Sequence, residues 1–496
     1  MFGSRQAEVN RPTHIPPTAL PLLRVTASFL CAFASVSCAL AATNTPAQPV
    51  NGILGEVHEL NDNGAWSWFM DPRVIVDHGR LIVGSVRAAG RFEDSGLPGW
   101  GNVELSVLDL VSGQLGKTVL HPAFEQDDHD SPGLLVRPDG RYLAIYSKHN
   151  QETRFYYRVS TQPGDPFNWG PVLEFVTPGV RGSYSHDSVT YANPIRLASE
   201  DGRIYLLHRG FGQDPNYLIS DDQGQSWRYG GHLFVGRHGY SPYAKYASNG
   251  RDTIHIVATE DHPRNWDNSL YHGFIRHGNV YGSGGDLLAP LPTGTNTPLQ
   301  AWGMTRIYQG GPSNVAWMCD IRLDPEERPV VLFTVQRDGA GLPVGSGGMD
   351  HRFHYARWDG KEWLAYEIAY AGTRLYPGED DYTGLGAIDP RDTRVVFIST
   401  DADPVTGKPL MSKGNFRRNH ELFRGFTADG GKSWAWTAIT TNSTTDNLRP
   451  IIPFWQDSRT ALVWMRGFYV VNRGEWTTKV MATLLRPGDF EARSLP

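Results

Sequence analysis

Seven stretches of the chain share one pattern, in which two short apolar or β-prone runs flank a turn signal. "DPRVIVDHGRLIVGSVR" turns near His78, "SPGLLVRPDGRYLAIYSKH" near Asp139, "YANPIRLASEDGRIYLLHRG" near Asp201 and "SPYAKYASNGRDTIHIVATEDH" near Gly250. "AWMCDIRLDPEERPVVLFTVQ" turns near Glu326, "GLGAIDPRDTRVVFIST" near Arg391 and "RPIIPFWQDSRTALVWMRG" near Asp457. Strand–turn–strand units at such regular spacing along the whole chain predict a radial array. The expected fold is all-β: one seven-bladed β-propeller, each blade giving an inner hairpin to a central channel. No long run shows helical periodicity.

More polar hairpins lie between these seven. Ser220-Asp221-Asp222-Gln223-Gly224-Gln225-Ser226-Trp227 fits S-x-D-x-G-x-x-W, and Thr427, Asp429, Gly431 and Trp434 repeat it with Thr in first place. A degenerate relative runs from Trp358 to Trp363. In such Asp-boxes the Asp and Gly fix a tight turn and the Trp packs beneath it, so their expected role is structural.

Composition agrees with many short strands joined by turns, with 15 Trp, 21 Tyr, 21 Phe, 54 Gly and 34 Pro. The N-terminus alters the picture. Arg5, Arg11 and Arg24 precede an apolar stretch from Val25 to Leu40 and the small residues Ala39-Leu40-Ala41. This reads as a secretory signal over residues 1–41 with an A-x-A cleavage site, followed by a linker over 42–54 and a single domain over 55–496. The expected location is secreted or periplasmic, without a membrane span. Cys31 and Cys38 fall in the signal, so the processed chain keeps Cys319 and cannot form an intramolecular disulfide. The formal charge of −6 becomes more acidic by two on processing, since the signal holds three Arg and one Glu. With no Lys/Arg run, nucleic acid is not expected as a partner, and an acidic ligand needs a local basic pocket.

Candidate chemistry gathers at the open ends of the hairpins. Asp139 lies midway between His129 and His149, so a regular ladder sets the two imidazoles opposite one another. The bland alternative is that hairpin ends are solvated and histidine is common there. In the third hairpin Tyr191 and Arg209 are symmetric about Glu200, and in the fourth His262 and Arg264 lie level with the same end. Three successive blades thus bring imidazoles, guanidiniums and phenols to one face, which suits an anionic ligand handled by proton transfer. Asp127, Asp128 and Asp130 lack the Gly and Glu of an EF-hand, and there is no zinc pattern. No catalytic metal or cofactor is expected; a structural calcium ion stays open.

These residues carry a resemblance. "WSWFMDPRVIVDHGRLIVGSV", "DDHDSPGLLVRPDGRYLAIYSKH", "GRIYLLHRG" with "PNYLISDDQGQSW", and above all "YAKYASNGRDTIHIVATEDHPRNWDNSLYHGFIRHGNVY" resemble the BNR-4 propellers, over most of residues 55 to 485. That group includes ulvan lyases, L-rhamnose-α-1,4-D-glucuronate lyases and exo-α-L-rhamnosidases. The resemblance implies that His129, His149, Tyr191 and Arg209 are catalytic and that Arg264 binds substrate. Tyr243, Tyr246 and His262 join the expected binding residues, and Tyr243 and Tyr246 rival Tyr191 for the phenol role. The implied reaction is β-elimination at a uronate of an acidic polysaccharide of ulvan or arabinogalactan type, by a monomer. Two alternatives stay open: hydrolysis of the same linkage by an exo-α-L-rhamnosidase, and binding of uronate oligosaccharides without catalysis.

Overall fold

In the computed structural model, residues 49–179, 187–239, 241–295, 298–470 and 476–491 are described. The segment read as a signal lies outside them. Seven antiparallel sheets follow one another around a ring. The first strand of each is the inner one: Val74–Asp77, Gly133–Val136, Thr190–Leu197, Ala244–Ser248, Val315–Leu323, Gly386–Ile388 and Asp446–Ile451. Each pairs with the next strand in sequence, so all seven predicted turns close inner hairpins. Five sheets are continuous in sequence; the fourth is widened by Leu287–Pro290 and by Thr305–Tyr308, between which Leu299–Gln300 pairs outside it with Phe234–Val235.

The seventh blade closes the ring. Its three inner strands, ending at Lys479–Leu485, come from the C-terminal end of the chain, and Glu56–Asn61 supplies its outer strand. Joining the two ends of the chain in one sheet leaves no gap where the circle begins. Upstream, Gly52–Ile53 pairs with Thr440–Thr441, so the stretch read as linker is already engaged with blade 6.

Alternation along the strands sends apolar side chains into the seams between blades. Ile82, Val103, Leu134 and Tyr142 fill the seam between blades 1 and 2; Leu143, Ile145, Ile204 and Leu218 fill the next. Trp66, Val74, Val463 and Trp476 seal blade 7 against blade 1. The Asp-boxes hold outer turns. Asp222 Oδ1 accepts from the backbone N–H groups of Gln225 and Ser226 at 3.0 and 2.9 Å, and Gly224 adopts φ +84°, a region unfavourable to other residues. Trp227 is buried beneath that turn, and Trp434 packs on Tyr355 with ring centroids 5.2 Å apart.

A ring of seven blades leaves an axial channel, and the segment Trp66–Asp71 enters it. Ser67 N–H donates to the Asp128 carbonyl at 2.9 Å, Asn193 Nδ2 donates to the Phe69 carbonyl at 2.9 Å, and Asp71 N–H donates to Asn193 Oδ1 at 2.9 Å. Lys245 Nζ reaches the Trp68 carbonyl and lies 2.8 Å from Asp71, whose other oxygen is 3.1 Å from Arg73. One short segment is thus bound by blades 1, 2, 3 and 4. Lys245→Met leaves Asp71 with Arg73 alone and removes the donor to Trp68. Breaking a buried ion pair costs about 3 to 5 kcal/mol, and the retained Arg73 sets the expectation near the low end. Urea unfolding is expected to show that loss; an unchanged midpoint would contradict the role given to the segment.

Candidate active site

The open ends of the inner hairpins surround a cavity of about 410 Å³. Its floor and walls draw on blades 2, 3, 4 and 7 and on the long connection between blades 5 and 6.

His129 lies in a one-turn 3-10 helix, Asp128–Asp130, capped by Asp127, whose carboxylate accepts the His129 backbone N–H at 3.0 Å. His149 follows the partner strand, and the register Leu134↔Ala144 keeps Asp139 at the centre. The two imidazoles stack, with ring centroids 3.7 Å apart and planes 11° from parallel. Asp127 bridges them. One of its oxygens takes a hydrogen bond from His129 Nδ1 at 2.6 Å and the other from His149 Nδ1 at 2.9 Å. The neighbouring Asp128 is 2.8 Å from His129 Nδ1, and its other oxygen receives Arg449 and the Tyr469 hydroxyl, the latter at 2.7 Å.

These contacts pull the two rings apart in acidity. Burial opposes charge on His129, but Asp127 and Asp128 outweigh it and raise its pKa. Burial lowers that of His149 to about 3 despite Asp127, with the charges of His129 and Arg209 acting in the same direction as burial. His149 is therefore a neutral imidazole at physiological pH. Burial would raise Asp127, yet the two histidines hold it well below the usual carboxylate range.

Arg209 ends the second strand of blade 3 and is 7% exposed. It donates to the Tyr243 hydroxyl at 3.0 Å and to Asn150 Oδ1 at 3.1 Å, and its Nε has no hydrogen-bond partner among the described residues. No ion pair to a carboxylate is present for it among the described residues. The other two arginines lining the cavity differ, since Arg449 pairs with Asp128 and Arg264 with Glu379.

Tyr191 is set one layer beneath the cavity. Register slips between Thr190↔Arg209 and Asn193↔Leu207, so the inner strand carries an extra residue and Tyr191 adopts φ 66°. Such a bulge re-aims a side chain at a local conformational cost. Its ring lies 5.3 Å from that of His129, with the Arg209 guanidinium 4.8 Å from the ring centre. Burial, the Tyr243 phenol and the hydrogen bond to it raise its pKa well above the ordinary value, against the Arg209 charge. Tyr243 lines the cavity itself.

His262 and Arg264 also reach the wall. His262 Nδ1 accepts the Arg264 backbone N–H at 3.1 Å, and burial, helped by the Arg264 and Arg209 charges, keeps His262 neutral. Tyr246 is not brought to the cavity. Its side chain packs in the apolar seam between blades 3 and 4, among Leu207, Ile254 and Ile256. Strand alternation separates it from Tyr243 three positions earlier, because an odd offset reverses the face.

The sequence reading missed Asn150, Arg449 and the aromatic wall of Trp68, Tyr376, Tyr382 and Tyr469. Arg449 had a signal. It lies eight residues before the blade 7 turn at Asp457, and it too occupies a bulge, with φ 54°. Tyr376, Glu379 and Tyr382 sit in an irregular connection, where hairpin counting has no purchase.

Asp127, His129 and His149 offer ligand atoms within 4.8 Å of one another. Two imidazoles and one carboxylate suit zinc or a similar metal better than calcium, which prefers oxygen. An ion held there through Nδ1 would have to replace the hydrogen bonds that Asp127 already makes.

The model of the BNR repeat-containing family matches residues 84–371. No curated protein sequence matches the chain. Two solved structures of PL25 ulvan lyase, described as a new family of polysaccharide lyase, share the fold at 17% identity. They cover 90% of this chain and 100% of their own, with TM-scores of 0.59 and, for one bound to GlcA(1-4)Rha3S, 0.58.

The pair makes stability depend on pH. His149 has a folded pKa of about 3 against an ordinary 6.5, so below pH 6.5 the unfolded chain takes up a proton that the fold refuses. Stability present at neutral pH is therefore lost as pH falls towards about 3. His129 has the opposite sign: its contribution is complete below 6.5 and fades as pH rises through its raised value. Thermal melts between pH 6.5 and 4 are expected to show a fall in Tm that His149→Asn flattens; an equal fall in that variant would contradict the reading.

Proposed function

Since the chain belongs to the BNR repeat-containing family and places an arginine bonded to a phenol and an amide, with no carboxylate partner among the described residues, beside a bridged histidine pair, we propose that it is an exported lyase. Its substrate is an acidic polysaccharide, cleaved at L-rhamnose-α-1,4-D-glucuronate linkages by β-elimination. The observation that carries this reading is Arg209. A buried guanidinium bonded to neutral groups alone bears an uncompensated desolvation cost, which a bound carboxylate removes.

Elimination requires that the C5 proton leave while negative charge builds on the adjacent carboxylate. Arg209 holds that carboxylate through its two-pronged fork and stabilises the enolate-like intermediate. In a glucuronate the C5 proton and the C4 oxygen project to the same face of the ring, so base and acid must stand side by side. His129 and Tyr243, which both line the cavity, meet that demand, with Tyr191 beneath them, its ring 5.3 Å from that of His129 and 5.9 Å from that of Tyr243. His129 is the base: Asp127 fixes its Nδ1, leaving Nε2 for the substrate, and its neutral form takes the proton. The phenols of Tyr191 and Tyr243, linked to each other and to Arg209, return a proton to the leaving rhamnosyl oxygen. Neutral His149 stacks on His129 and shares its carboxylate, so it positions the base.

Hydrolysis of the same linkage finds less support. A glycosidase flanks its bond with two carboxyl groups, whereas the carboxylates lining this cavity, Asp128 and Glu379, are each held by an arginine.

Incubation with a rhamnosyl-glucuronate oligosaccharide is expected to yield a product with the ultraviolet absorbance of a conjugated uronate, without uptake of water in the product masses. Arg209→Ala is expected to lower turnover about a hundred- to a thousandfold, the typical loss of one preorganised donor. Arg209→Lys is expected to recover little of it, because a point charge cannot replace the fork. Saturated products carrying the mass of added water, or near-normal rates in folded Arg209→Ala, would overturn the proposal.

A further inference from the structure

The charges around the cavity can be matched one against another. Asp128 is met by Arg449, and Asp127 holds His129 and the neutral His149 through their Nδ1 atoms. Glu379 is met by Arg264. Arg209 is left over, with Tyr243 and Asn150 as its partners. Among the described residues the cavity therefore has one seat for an anion.

The Arg264–Glu379 pair joins the segment after blade 4's second strand to the connection between blades 5 and 6, on the cavity wall. Glu379 Oε2 is buried and has no hydrogen-bond partner among the described residues. Next to it stand aromatic rings: Tyr382 meets Trp68 edge-on at 4.9 Å and Tyr376 at 5.7 Å. A carboxylate oxygen that accepts hydrogen bonds, set among aromatic faces, suits a neutral sugar with hydroxyl donors and an apolar methyl group. It repels a second anion.

On the reading of the site given above, which this inference rests on, we infer that the cavity selects a substrate with a single negative charge: a glucuronate in the Arg209 seat next to an unsulfated rhamnose. A sulfate on that rhamnose meets Glu379, or has to take Arg264 away from it. Glu379 is then a specificity-determining residue for the sugar beside the uronate.

The test compares two oligosaccharides, rhamnosyl-glucuronate and the same compound sulfated on rhamnose, by calorimetry. His129→Asn provides the binding background, keeping Arg209, Arg264 and Glu379 in place without turnover. The unsulfated compound is expected to bind at least about tenfold tighter, the scale of one unfavourable charge contact. Adding Glu379→Gln frees Arg264, so affinity for the sulfated compound is expected to rise several-fold while the unsulfated one weakens. Equal or tighter binding of the sulfated compound to the Glu379-containing protein, or binding of neither, overturns the inference. So does an unchanged preference in a Glu379→Gln protein whose melting temperature shows it to be folded. If the affinities fall as expected but the wild type forms no unsaturated product, the elimination chemistry fails and the charge selection stands.

Discussion

A closed ring of blades must do something with its axis, and here the channel is occupied by chain. Trp66–Asp71 crosses it, and its backbone groups are taken by Asp128, Asn193, Lys245 and Arg449. Buried backbone has to find partners, and these come from four different blades. The cavity floor is thus assembled from elements far apart in sequence. Trp68 lines it, and Phe69 packs against Tyr191 and Tyr243 at 5.4 and 4.5 Å. Ring closure and site geometry rest on the same contacts.

Above that floor, two adjacent aspartates divide the work. Asp127 looks inward along blade 2 and fixes both imidazoles; Asp128 looks across to blade 7 and takes Arg449 and Tyr469. Each carboxylate thus has partners that offset its burial, two imidazoles for one and an arginine and a phenol for the other. Against those pairings Arg209 stands out. Its neutral partners hold its orientation without cancelling its charge, the arrangement expected of a group kept ready for an anion.

Much of this is legible in the amino-acid sequence. The inner hairpins obey a regular register, so positions counted from Asp139 remained level as far as His129 and His149. Counting failed where registers slip. Tyr191 and Arg449 both sit at bulges, and an extra residue there moves a side chain by one face, so that Tyr191 lies beneath the cavity. Tyr246 was misread for a related reason: residues three apart on a strand point opposite ways, and one of the two tyrosines had to face the seam. Glu379 and its aromatic neighbours carry no periodic signal, since an irregular connection is positioned by tertiary contacts alone. The Asp-boxes were read correctly as turns because their hydrogen bonds are local.

The account stands on the claim that Arg209 waits for the carboxylate of a uronate. Its most direct test is the affinity of His129→Asn protein for a rhamnosyl-glucuronate oligosaccharide and for its carboxyl-reduced counterpart, in which the uronate has become a neutral glucose. Charge-assisted hydrogen bonds contribute roughly 1.5 to 3 kcal/mol, so the acid is expected to bind about ten- to a hundredfold tighter. Equal affinity for the reduced compound would mean that the buried guanidinium does not hold the substrate carboxylate, and the account would fail at its centre.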